Sequence, residues 1–511
     1  MTHELKKTLA FLGVAVAAAG GAWALTQPRV TTAEAFSDLG EPFFPDFRDP
    51  LTAKSLEVVD FDAAQAQPIP FKVAFVPGKG WVIPSHHDYP ADAKDRLART
   101  AAGVIDLKKE IIASDRAEQH EELGVLDPLA PGTTSLSGRG KRVTMRDGSG
   151  KALADLILGK PVPGRPGMRF VRVPEQKRTY GVTVDVDLSA KFADWIETNL
   201  LKLDGFRVTR VTIDNHKVDP EAGTITPGDV VDFRRAAPSA PWTMAEIPDG
   251  KELDTAKISA LTSALADVKI VGVRPKPPGL TAELKAAADG QGIALSTPSR
   301  LSLQVAGFYV LKDGRLLSNQ GDIYVRTDEG LIYVLRFGEV TMAQGDALTA
   351  GSPEEGAPKK AGDTAKDGEP KPATTGDNRF LFVTAEFDER ALTKPDSLAK
   401  AEVPADPGGL PETVFARSPA EAKAAEETAR REREEYAKKV ADGKSRAKEL
   451  TDRFAGWYYV VPGDSYRTIV TDQASLLKPK GPPAPAAPEG GPAGFPPAGM
   501  LPPGLNLGPR P

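Results

Sequence analysis

Two hydrophobic periods alternate along the chain. Period-two runs at Phe71 to Pro84, Val143 to Arg146, Leu153 to Leu158 and Arg169 to Val173 predict short strands separated by Gly-rich turns. The first run reads as a hairpin around Pro77-Gly-Lys-Gly80, because glycine supplies the positive φ of a tight turn. A 3.6-residue period follows, with Leu97, Ala101, Val104 and Ile105 on one face and Asp92 as a helix cap. The spacing predicts a second helix capped by Asp187, with Leu188, Phe192, Trp195, Ile196, Leu200 and Leu203 on its buried stripe.

The same order recurs further on. Trp81 to Asp106 spans the same separation as Trp242 to Asp267, with Leu97, Val104 and Leu107 opposite Ile258, Leu265 and Val268. Val143 to Arg146, Leu153 to Leu158 and Arg169 to Val173 find counterparts in Ile323 to Arg326, Leu331 to Phe337 and Arg379 to Val383. Trp457 to Val461, with Tyr466 to Leu477, echoes Tyr180 to Ile196. The pattern predicts an α+β fold of two related modules of short antiparallel strands with amphipathic helices, at residues 56–218 and 230–477.

Several stretches fall outside that pattern. An uncharged run from Leu9 to Leu25 follows Lys6 and Lys7, so residues 1–30 read as an N-terminal transmembrane anchor or a signal segment. Gly13, Ala17 and Gly21 form a small-residue ridge suited to an anchor, whereas Ala22-Trp-Ala24 suits cleavage before Leu25. Residues 346–378 are polar and lack aromatics, the composition of a disordered loop. Residues 418–454 begin with the capping box Ser418-Pro-Ala-Glu421 and carry Glu426/Arg430, Glu427/Arg431, Glu434/Lys438 and Glu435/Lys439 four apart. They predict a charged, solvated helical arm, loosened near its end by Gly443, or one docked on a partner helix through a thin apolar stripe that includes Tyr436, Val440 and Leu450. Residues 478–511 hold 12 Pro and 7 Gly and predict an extended, disordered tail.

Composition narrows the chemistry. The 511 residues include no Cys, which excludes thiol nucleophiles, thiolate zinc sites and disulfides. A net charge of -5 argues against a nucleic-acid partner. The Gly-Ser-Gly-Lys151 and Gly-Arg-Gly-Lys141 stretches lack the Walker spacing and read as hairpin turns. His86-His87-Asp88 is the one local metal-capable cluster. Adjacent strand side chains diverge, so it reads as a surface loop. Asp185 and Asp187 share a face if their strand is regular, and Asp214-Asn-His216 with Asp219 reads as a polar turn. No catalytic, cofactor-binding or metal residue emerges, and the expectation is a nonenzymatic protein without a cofactor.

The run Trp81-Val-Ile-Pro84, Tyr89-Pro-Ala-Asp92, Glu122-Leu-Gly-Val-Leu-Asp-Pro128, Leu158-Gly159 and Tyr180 resembles the bacterial domain-of-unknown-function family 4340 over about Leu56 to Val218. That resemblance implies a single-pass protein of the bacterial inner membrane with its bulk periplasmic, auxiliary to an ABC-transporter permease of the gliding-motility type. The functional expectation is a noncatalytic scaffold in an envelope membrane-protein complex, held to the membrane by its N-terminal helix. Two other readings stand beside it. One is a ligand-binding module with a cleft between the repeats, lined by Tyr89, Trp242, Tyr309 and Tyr324. The other is an envelope hydrolase using Asp185, Asp187, His86 or His87.

Overall fold

A computed structural model describes residues 38–63, 66–130, 135–186, 188–219, 224–286, 295–343, 345–351, 377–399 and 419–480. The fold is α+β, and both of its large sheets are antiparallel. In the first half the chain forms β1 (Ser55–Asp62), β2 (Gln67–Val76), β3 (Gly80–Ile83) and β4 (Tyr89–Pro90), then α1 (Lys94–Ile105) and β5 (Ile111–Ser114). A one-turn helix α2 (His120–Leu123) precedes β6 (Lys141–Arg146), β7 (Ala152–Pro161), β8 (Met168–Arg172) and β9 (Thr179–Thr183). These strands lie in the order β4-β3-β2-β1-β6-β7-β8-β9-β5. The period-two runs are therefore strands as expected, and the β2–β3 turn uses positive φ at Gly78 and Gly80.

The second half opens with β10 (Val208–Asp214), the hairpin of β11 (Lys217–Asp219) and β12 (Thr224–Thr226), β13 (Val230–Arg234), β14 (Thr243–Met244) and β15 (Lys251–Leu253). Helix α3 (Thr255–Ala266) leads to β16 (Gly272–Pro275), and α4 (Thr297–Val305), β17 (Phe308–Val310) and β18 (Leu316–Ser318) form an outlying layer. Next come β19 (Asp322–Thr327), β20 (Leu331–Thr341), α5 (Gly345–Thr349), β21 (Asn378–Phe387) and α6 (Asp396–Ala399). The chain closes with α7 (Pro419–Phe454), β22 (Trp457–Val461), α8 (Gly463–Ile469) and β23 (Leu477–Pro479). The second sheet runs β14-β13-β10-β19-β20-β21-β22-β16. Apart from the extra edge strand β4, that is the first sheet's order, with β10 in the place of β1 and β16 in the place of β5.

Smaller details repeat as well. Pro42 bridges Lys108 and Asn199 bridges Lys269, both antiparallel. Asp49 caps the 3-10 turn before β1, and Asp204 caps the one before β10. Helices α1 and α3 have 12 residues each. The Asp92 amide donates to the Trp195 carbonyl, as Asp254 donates to Leu476, both at 2.8 Å. These matching features begin near residue 40 and near residue 196. Strand β10, counted with the first module, hydrogen-bonds into the second sheet.

This boundary explains the failure of the helix expected at 188–203. Its apolar residues are buried, apart from half-buried Leu188, but the segment holds only a 3-10 turn at Phe192–Trp195 and is extended at Ile196. The backbone there is committed to other partners: Leu200 donates to Val268 at 2.9 Å, and Thr198 accepts from Ile270 at 2.9 Å. The guanidinium of Arg453, on α7, donates to the carbonyls of Glu197, Asn199 and Leu200 at 3.0, 2.9 and 3.2 Å. Asp187 lies outside the described residues. Asp92 caps nothing, since α1 starts after Ala93 with no side-chain cap, whereas Asp254 does cap α3.

One continuous core joins both sheets, with Leu56, Leu97, Trp195, Ile258, Leu335 and Tyr459 among its buried members. A second cluster, with Phe308, Phe382 and Tyr458, covers part of the outer face of the second sheet. Helix α7 is unbroken through Gly443, contrary to the expected loosening. A Cβ at Gly443 would overlap the Phe387 ring, so glycine here lets the helix close onto the sheet. Tyr436, Ala447, Leu450 and Phe454 are buried, so this half of the expected solvated arm is docked. From Lys423 to Glu435 the side chains are exposed, except for half-buried Ala425, Ala429 and Glu432. The exposed ion pairs there join Arg430 to Glu434 and Arg431 to Glu435, at 3.7 and 3.9 Å, rather than the pairs expected from spacing.

The polar loop expected from residue 346 starts later, because 345–349 is helical and Asn378 opens β21. Its remainder, 352–376, lies outside the described residues. So do 1–37 and 481–511, while β23 draws Leu477–Pro479 into a two-stranded pairing with β15. Among the described residues, no helix is long and apolar enough to cross a membrane.

Candidate functional site

His86 is not on a surface loop. It follows β3 in a 3-10 turn, is 3% exposed, and stacks on Phe192 with ring centroids 4.3 Å apart. Its ring nitrogens meet Ser85 Oγ at 3.0 Å and Thr349 Oγ1 at 2.9 Å, and His87 Nε2 meets the Ala350 carbonyl at 2.7 Å. The two imidazoles therefore tie the first sheet's edge to the end of α5, where they serve as contacts between the halves of the chain. Burial, with the nearby His87 and Arg274, pushes the His86 pKa down to about 4, so the ring is neutral near pH 7. His87 and Asp88 both hold positive φ, and Asp88 pairs with Lys79 at 2.7 Å.

The other sequence candidates disperse. Asp185 is exposed and lies beyond the end of β9, so the regular strand that would align it with Asp187 is missing. Asp214 Oδ1 accepts from the His216 amide at 3.2 Å, and buried His216 reaches the Ser318 carbonyl at 3.1 Å, a polar turn with local hydrogen bonding. The Gly148–Lys151 stretch is the β6–β7 turn, organised by Asp147, whose carboxylate accepts from the amides of Ser149 and Lys151. Gly138–Lys141 is not a hairpin: it pairs with Leu126, and a Cβ at Gly138 would collide with Glu121. The four aromatics line no common cleft. Tyr89 is core against Phe192 and Trp457, Trp242 packs between Phe233 and Arg235, and Tyr309 and Tyr324 sit on β17 and β19.

The structure assembles a different group on the outer face of the second sheet. Asp322 and Arg336 are direct cross-strand partners on β19 and β20, with Tyr324 opposite Val334 on the same face and Thr384 beside it on β21. Asp322 is 3% exposed, and its Oδ2 lies 3.2 Å from Arg336 Nε. The pair is an ion contact without hydrogen-bond alignment. Among the described residues, seven buried polar side-chain atoms lack a hydrogen-bond partner, and three of them are here: Asp322 Oδ1, Arg336 Nε and Arg336 Nη1. Burial raises the Asp322 carboxyl pKa against the opposing pull of Arg336 and His216. Above this floor is a cavity of about 490 Å³, walled by Lys448, Thr451 and Phe454 of α7 on one side and by the 282–285 loop on the other.

Sequence reasoning passed over this pair, although a signal was present. Arg336 is the lone charge inside Leu-Ile-Tyr-Val-Leu-Arg-Phe-Gly, an apolar run that buries both faces, and a charge there needs a partner. Alternation in Asp322-Ile-Tyr-Val also places Asp322 and Tyr324 on one face. What periodicity cannot supply is the register that sets residue 322 against residue 336.

The architecture defines an α+β protein of two antiparallel sheets sharing one core, with an outer-face cavity in the second. Residues 81–287 match the model of the family described as domain of unknown function (DUF4340), and the chain resembles that family over this stretch. The match starts at β3, later than the resemblance read from Leu56, and runs past β16, beyond Val218. A search of curated proteins gave no match, and a search of solved structures gave none.

Proposed function

We propose that the protein is a noncatalytic, membrane-tethered extracytoplasmic scaffold, auxiliary to an envelope complex of the ABC-transporter type. Helix α7 carries this reading. Its second half is held to the body by buried Leu450 and Phe454 and by Arg453 on the 197–200 connection, while its first half projects charged side chains from a rigid base. A helix fixed at one end keeps its shape without a partner, so it can present a surface at small ordering cost. On this reading the two sheets descend from one duplicated module of about 155 residues. The repeated strand order, the paired Asp-capped turns and the Asp92 and Asp254 bonds support that origin.

The test is a photocrosslinking residue placed at Ala425, with Ser149 on the first sheet as control, in cells with intact envelopes. A discrete adduct with a permease-type membrane protein at Ala425 alone supports the scaffold. Identical products at both positions, or none at Ala425, defeat it. Membrane tethering is tested separately: removal of residues 1–30 should move the protein from the alkali-resistant membrane pellet to the soluble fraction.

A further inference from the structure

We infer that the cavity over Arg336 is a binding site for a small carboxylate with an apolar body. The inference is independent of the scaffold reading. Three other arginines that sit in or against the sheets make two or more aligned hydrogen bonds each. Arg142 donates to both Asp155 oxygens at 3.0 and 2.7 Å and to Asp127 at 2.9 Å, and Thr144 adds a bond to Asp155. Arg210 and Thr212 treat Asp232 in the same way. Arg172 gives both Nε and Nη2 to the Val125 carbonyl at 3.0 and 2.8 Å. Arg336 has a single carboxylate beside it, at Nε, and neither Nε nor Nη1 completes a hydrogen bond. Both of those nitrogens are themselves buried, which leaves Nη2 as the donor that Arg336 offers to the cavity it lines.

The surroundings select the class of acceptor. The cavity, at about 490 Å³, falls within the usual range of small-molecule sites, roughly 300–1,000 Å³. Val334, Ala447 and Phe454 give it an apolar wall, and Thr384 and Thr451 add hydroxyls. Its charges are mixed: Lys285, Lys448 and Arg336 are offset by Glu283, Glu386 and the underlying Asp322. A dianionic phosphate would add two negative charges to a rim that already carries two. One carboxylate adds a single charge and can accept from Arg336 through Nη2 alone.

Saturation-transfer NMR on the full chain tests this, with benzoate, benzamide and inorganic phosphate as probes. Benzoate should bind wild type at millimolar concentration, and benzamide at least about tenfold more weakly, since it keeps the ring and loses the charge. Arg336→Gln should weaken benzoate about tenfold or more. Because that change also disturbs the sheet, Thr384→Trp serves as a second variant, filling the floor while leaving the Asp322–Arg336 pair in place. It should abolish the signal with near-UV circular dichroism unchanged. Absence of benzoate binding to wild type at about 10 mM, equal binding of benzamide, or unaltered binding to both variants overturns the site. Phosphate binding as tight as benzoate overturns the assignment to carboxylates.

Discussion

The two sheets share a strand order but differ in what their connections carry. In the first, β7 joins β8 and β8 joins β9 through short turns. In the second, the same two connections hold α5 with residues 350–377, and α6 with α7. Insertions at strand ends leave the ladder intact, because a sheet's hydrogen bonds depend on register and not on the length of the return path. The first sheet is therefore self-contained, with Arg142 saturated by two aspartates. The second carries an arm, an outlying layer and a cavity in which Arg336 is not saturated.

That contrast can be broken most forcefully at the place where the halves meet. Trp195 is fully buried in the shared core and its indole Nε1 donates to the Ser189 carbonyl at 2.9 Å. Trp195→Ala should cost about 3–5 kcal/mol in urea unfolding and do so in a single transition. Two resolved transitions would mean that the sheets unfold independently. The next effect is a pH slope. His86 has an ordinary value of 6.5 and a folded value near 4, so its contribution is complete above pH 6.5 and is lost as pH falls to about 4. About 3 kcal/mol should disappear over that window, and His86→Gln should flatten the profile there.

Gly443 offers a test of sign. In a free helix, Gly→Ala stabilises by about 1 kcal/mol, whereas against Phe387 the added methyl should destabilise by roughly 1–3 kcal/mol. Thermal melts of Gly443→Ala separate a docked helix from a solvated one. The smallest expected effect sharpens the contrast between arginines. Arg142→Gln should cost about 1–2 kcal/mol, while the joint change Asp322→Leu with Arg336→Met should be neutral or mildly stabilising in urea unfolding. An equal cost for both would mean that Arg336 is as well served as Arg142.

Much of this was legible from residue order. Val143 to Arg146 and its counterpart Ile323 to Arg326 alternate cleanly, and both became central strands, because a half-buried pleat leaves that imprint on sequence. The 188–203 stretch misled for a related reason. Phe192, Trp195, Ile196 and Leu200 have helical spacing, yet they end one repeated element and begin the next, and burial alone does not reveal which backbone partners win. Gly443 misled because propensity is a property of an isolated helix, and the close approach to Phe387 comes from a strand 56 positions earlier. The Asp322–Arg336 pair was hidden by register, and the His86 contact by its distance along the chain from Thr349.

The stretch that leads into β1 has a mechanical consequence. Asp38 is held by Lys109 at 2.7 Å and by the Tyr180 hydroxyl at 2.5 Å, and Gly40, Glu41 and Phe43 exchange backbone hydrogen bonds with residues 107–109. A load applied upstream of Asp38 would have to break this clasp before any tension reached β1. The clasp holds the entry strand to the loop after α1 and to β9, so pulling force is spread into the body of the first sheet and does not peel one strand from its edge.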